Sequence, residues 1–176
     1  MTAGQAQAPP RALAWIAALG WACLEPVLGP TRWGVRRRGR WLVDAGETEQ
    51  AILYLHEHLE AWPDDAWLHF HAGRAAQLKG MAHEARVRFA HAAALAPTEP
   101  TFRFALGYAL RREGHLAAAA AEYRQALAHA PADPRVLFNL GIVERERGAL
   151  AEAQACFEQV CARWRRDART HYTLGV

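Results

Sequence analysis

Glycine recurs in this chain at a fixed interval, and that interval limits the possible folds more than any other feature. Gly39, Gly73, Gly107, Gly141 and Gly175 stand 34 residues apart. Gly46, Gly80, Gly114 and Gly148 form a second series with the same spacing. Two independent glycine registers at one period mark a repeat array, in which each unit buries its apolar face on its neighbours.

Other positions keep the same period. Ala51, Ala85, Ala119 and Ala153 are small, whereas Leu55, Phe89, Tyr123 and Phe157 are large. Phe70, Phe104, Phe138 and Tyr172 are all aromatic. Pro63, Pro97 and Pro131 recur until Arg165 breaks the series. The first glycine of each unit lies within a helical pattern, where it costs about 0.8–1 kcal/mol relative to alanine. A cost repeated in every unit implies close helix–helix approach, with the alanines on the facing helix and the large residues filling the gap beside them. The second glycine falls between two apolar-periodic stretches, where a left-handed helix cap is expected. The proline stops the second helix. Each unit therefore reads helix, glycine turn, helix, proline turn.

On these residues the chain resembles the tetratricopeptide repeat family, and the arginine- and alanine-rich composition suggests a bacterial member. The third unit carries Leu106-Gly107, Leu110, Gly114, Ala119, Tyr123, Ala126 and Pro131. The second carries Ala72-Gly73, Gly80, Ala85, Phe89, Ala92 and Pro97, and the fourth Leu140-Gly141, Gly148, Ala153 and Phe157 before departing at Val160 and Arg165. The resemblance implies an all-α fold, a right-handed α-solenoid of antiparallel helix pairs. Its units are expected at 66–99, 100–133 and 134–167, with a degenerate unit at 32–65 and a partial one at 168–176. In the degenerate unit, Trp33-Gly34-Val35-Arg36-Arg37-Arg38-Gly39 predicts a poor first helix, distorted or close to a membrane.

Residues 1–31 form an N-terminal tail and apolar segment. Ala12 to Leu24 is uninterrupted by charge. It is short for a membrane span of about 20 residues. Three readings stand: a half-repeat packed on the first unit, a membrane anchor, or a cleaved signal. Arg32, Arg36, Arg37, Arg38 and Arg40 follow, beside Trp15, Trp21, Trp33 and Trp41. Tryptophan next to a basic flank is characteristic of membrane interfaces, so residues 12–40 offer a route to a membrane surface. The plain alternative is a solvated basic face. Both main readings leave the repeats in the cytoplasm, the first without and the second with inner-membrane association.

The net charge of +3 does not by itself imply nucleic acid. The three cysteines, Cys23, Cys156 and Cys161, form no disulfide framework. No phosphate-binding glycine loop or nucleophile elbow is present. His56 and His58, like His69 and His71, are two apart and point to different sides of a helix, so neither pair shares a metal. No catalytic residue, cofactor or metal is expected.

What the resemblance does imply is a groove lined by the first helix of each unit. Carried onto this chain, the lining is Trp67, Phe70, His71 and Arg74, then Phe104, Tyr108, Arg111 and Arg112, then Phe138, Asn139, Ile142 and Arg145, with Tyr172 closing the row. Aromatic and arginine side chains dominate binding hot spots, although an aromatic here can equally serve packing. The carboxylate-clamping members of the family place asparagine where this chain has Arg74, Tyr108 and Ile142, so that ligand class is not expected. The arginines favour an acidic, apolar peptide or helix. The expected function is an interaction scaffold or assembly factor. The alternatives are a regulatory arm of a larger enzyme, for example a transferase, and RNA binding, which the glycine and proline series disfavour.

Overall fold

The computed structural model describes residues 31–174, with side chains in the last helix described through Arg163 and at Arg165. The segment 12–28, for which the sequence leaves a half-repeat, an anchor or a signal open, lies outside the described residues, as does Gly175. Eight helices are described: α1 (Arg32–Asp44), α2 (Thr48–Ala61), α3 (Ala66–Leu78), α4 (Ala82–Leu95), α5 (Pro100–Arg112), α6 (Leu116–His129), α7 (Pro134–Glu146) and α8 (Leu150–Leu174). They form a right-handed α-solenoid of antiparallel pairs. Each helix packs on its neighbours in sequence, and α1 also meets α3, and α5 meets α7.

Every first helix starts on an acceptor side chain. The Thr31 hydroxyl accepts from the Gly34 N–H (3.2 Å), and the carboxylates of Asp65, Glu99 and Asp133 accept from Trp67, Thr101 and Arg135. These caps satisfy amides that the helix leaves unpaired. Pro100 and Pro134 occupy the first helical position, where no donor is lost. Every first helix ends at a glycine with φ between 79° and 82°: Gly46, Gly80, Gly114 and Gly148. In the first such turn the Gly46 N–H donates to Val43 O and the Glu47 N–H to Leu42 O, and the same pattern recurs in the other three. The left-handed caps expected from the sequence are therefore present.

The other glycine series marks close contact. A Cβ at Gly73 would stand 2.7 Å from the Phe89 ring, one at Gly107 2.8 Å from Tyr123, and one at Gly141 2.8 Å from Phe157. Phe89 and Tyr123 are fully buried, and Ala85 and Ala119 lie beside them in the core.

Two expectations change. The first helix of the degenerate unit, read from its sequence as poor, is a regular thirteen-residue helix, α1. Its arginines are not simply solvated: Arg32 pairs with Asp64, Arg36 with Asp65 and Arg40 with Asp44. Tertiary ion pairs and the packing of Leu55 against Gly39 override the weak local propensity. At the other end, no turn sets off a unit at residue 168. Arg165 stands where proline ends the other second helices, and α8 continues to Leu174. Among the described residues no helix is long and apolar enough to cross a membrane.

Candidate functional site

The first helices α1, α3, α5 and α7 share one face of the solenoid, and two adjoining recesses open on it. The larger, a basin of about 830 Å³, is lined by Trp33, Arg36, Arg37, Arg40 and Asp44 of α1, by Trp67, Phe70, His71 and Arg74 of α3, and by Thr101 and Arg135. The smaller, a chamber of about 330 Å³, is lined by Phe70, Arg74, Gln77, Phe89, Thr101, Phe104, Ala105, Tyr108, Arg135 and Asn139. The two share Phe70, Arg74, Thr101 and Arg135 and make one continuous groove.

Seven of the residues singled out from sequence meet in this groove: Trp67, Phe70, His71, Arg74, Phe104, Tyr108 and Asn139. The others do not. Arg111 is turned to Glu146, which accepts from it at 3.1 Å and holds its guanidinium pKa above the usual value. Arg112 joins Tyr108 around a separate small recess beside Gly80 and Ala85. Phe138 is 49% exposed and meets Phe157 edge-on. Ile142 is half-buried and outside both linings. Arg145 lies at another recess, with Leu150, Phe157 and Arg165. The side chain of Tyr172 lies outside the described residues.

Sequence reasoning missed Trp33, Arg36, Arg37, Arg40, Gln77, Thr101 and Arg135. A signal existed for most of them. Trp33, Thr101 and Arg135 stand one period before, one after and two after Trp67, and Arg37 and Arg40 stand one period before His71 and Arg74.

The aromatics of the groove brace one another. Trp67 meets Phe102 edge-on at 4.9 Å, Phe70 lies 5.2 Å from Phe102, and Phe104 lies 5.8 Å from Tyr123. Arg135 stands over the Phe104 ring at 5.8 Å while pairing with Asp133. Asn139 donates to Arg135 O. Arg74 reaches back to Asp44 of α1 at 2.9 Å, tying two units together across the basin.

His71 is only 4% exposed, and its Nδ1 has no partner. Burial first, and then the positive field of Arg74, lower its pKa from 6.5 to about 4. The unfolded chain binds a proton between these values that the folded chain refuses. The stability at stake is fully present above about pH 6.5 and is lost as the pH falls toward about 4. Replacing His71 with phenylalanine should therefore spare roughly 3 kcal/mol of the wild-type loss between pH 7 and 4. Urea unfolding across that range measures it, and identical pH profiles for the two proteins would contradict it.

Among the described residues no group of three or more histidine, cysteine, aspartate or glutamate side chains is placed to hold a metal ion.

A family model for the tetratricopeptide repeat matches residues 100–143, the stretch that includes α5, α6 and most of α7. The match places a tetratricopeptide repeat in this part of the chain. Solved structures agree with this repeat protein in fold. A crystal structure of MamA superposes with a TM-score of 0.77 at 18% identity, covering 87% of this chain and 90% of that one. MamA MSR-1 gives 0.71 at 20% identity, over 89% and 91%. MamA from residue 41 to its end, from Desulfovibrio magneticus RS-1, gives 0.70 at 17% identity, over 76% and 75%. At these identities the likeness concerns the repeat architecture alone. No curated protein matches the chain.

Proposed function

We propose that this tetratricopeptide repeat protein is a non-catalytic interaction scaffold that holds a segment of a protein partner in the groove of its first helices. The observation that carries this reading is the continuity of basin and chamber. Together they form an open channel whose walls combine exposed aromatic faces with arginine, the side chains that concentrate binding energy. A segment with both acidic and apolar side chains suits such a wall. Association with a membrane surface through residues 12–40 is compatible with this role and independent of it.

The test is capture of partners from the native host, with Tyr108→Ala and Phe104→Ala compared with the wild type. Tyr108 is the cleaner probe, because Phe104 also packs on Tyr123. Tyr108→Ala should weaken capture by about 2 kcal/mol, roughly thirtyfold in Kd, with the circular dichroism spectrum unchanged. Undiminished recovery of the same partner would remove the groove from the account.

A further inference from the structure

The basin and the chamber share a wall but differ in chemistry. Five arginines line the basin, with Asp44 as the one carboxylate among them. Asp44 is already shared between Arg40 and Arg74, and Arg36 is held by Asp65. Arg37 has no carboxylate partner among the described residues, and its guanidinium stands 5.5 Å over the Trp33 ring. Even with Asp65 and Asp133 counted against the arginines they pair with, the basin keeps an excess of positive charge. That charge sits between Trp33, Trp67 and Phe70, and low-dielectric walls concentrate such a field. The chamber is different: Phe70, Phe89, Phe104, Ala105 and Tyr108 make half of its wall, and its two arginines, Arg74 and Arg135, are the ones it shares with the basin and are paired with Asp44 and Asp133.

We propose that the groove is divided, with the basin over α1 and α3 taking a cluster of carboxylates and the chamber over α3, α5 and α7 taking an adjacent apolar side chain of the same partner segment. This rests on the groove reading above and adds an order to it: the acidic part of the segment lies toward Trp33 and the apolar part toward Tyr108. Arg37 is the residue through which the order can be tested. It lines the basin, holds no structural carboxylate and is exposed.

Three fluorescein-labelled synthetic peptides supply the probes. One joins a run of glutamates to a Trp-Leu-Phe block, the second has glutamine for every glutamate, and the third has serine for the apolar block. Fluorescence anisotropy at low salt reads their affinities for the full chain and for its Arg37→Glu and Tyr108→Ala variants, with thermal melts confirming that each variant is folded. Arg37→Glu should weaken the glutamate peptide about tenfold and leave the glutamine peptide unchanged. Tyr108→Ala should weaken the first two peptides and leave the serine peptide unchanged. Added salt should weaken the glutamate peptide far more than the glutamine one. If Arg37→Glu affects the glutamate and glutamine peptides equally, or neither, while Tyr108→Ala still weakens them, the division is wrong and the groove stands. If the wild type holds none of the three, or neither variant changes any affinity, both readings fall.

Discussion

Replacing Gly107 with valine should unfold the centre of the array. A Cβ at this position would lie 2.8 Å from Tyr123 Cε1 and 2.9 Å from its Cδ1. The ring cannot swing aside, because Tyr123 is fully buried among Ala119, Ala120, Val136 and Leu140. Two branched methyl groups would extend the conflict further. Overpacking of this kind costs about 1–3 kcal/mol and sometimes more, and the upper end applies where the obstacle is a locked ring. Loss of about 3 kcal/mol in urea unfolding is the expected result. Alanine at the same position should lose less, because about 1 kcal/mol returns as helix propensity. Combining Gly107→Ala with Tyr123→Leu should recover part of that loss, since the smaller partner yields the space. Equal stability of Gly107→Val and the wild type would show that the two helices stand further apart than described.

The second large effect is expected at Asp65, a carboxylate with two tasks. It accepts from the amides of Trp67 and Leu68 at the start of α3, and from Nε of Arg36 at 2.8 Å. Its side chain is 0% exposed, whereas Arg36 keeps 38%. Asp65→Ala removes a helix cap, about 1 kcal/mol, and half of an ion pair that joins α1 to α3. Breaking a fully buried pair costs about 3–5 kcal/mol, and water reaching Arg36 reduces that. A total of about 2–4 kcal/mol is expected. Asp65→Asn, which can still accept from the amides, should lose about half as much. Matching losses for the two variants would mean that the ion pair alone matters and the cap contributes nothing.

Much of the fold was legible because it depends on spacing within one unit. Gly73 and Phe89 are sixteen residues apart in one helix pair, and so are Gly107 and Tyr123, so each contact repeats as a letter pattern. The caps at Thr31, Asp65, Glu99 and Asp133 keep the same period but vary in identity, because any short or flexible acceptor serves, and no single-letter series reveals them. The first helix was misjudged because the partners that hold it, Leu55, Asp64 and Asp65, lie beyond its own window.

The groove divides along the same line. Trp67, Phe70, His71 and Arg74 meet because one helix face places them together. Whether an arginine is available to a partner depends instead on the neighbouring unit. Arg111 finds Glu146 thirty-five residues on, and Arg74 finds Asp44 thirty residues back. Periodicity places such side chains on a face but does not show which of them the solenoid has already neutralised.

The two glycine series leave different freedoms to mutational drift. At Gly73 or Gly107 the constraint is room, and a smaller ring on the facing helix can relieve it, so a substitution there can be rescued from a distance. At Gly46, Gly80, Gly114 and Gly148 nothing lies within 4 Å of a would-be side chain, and the constraint is handedness. No change elsewhere in the chain can relieve it. Only a residue that itself tolerates the left-handed region, asparagine or aspartate first, can stand there. The helical glycines can therefore drift in pairs with their partners, while the corner glycines must drift alone.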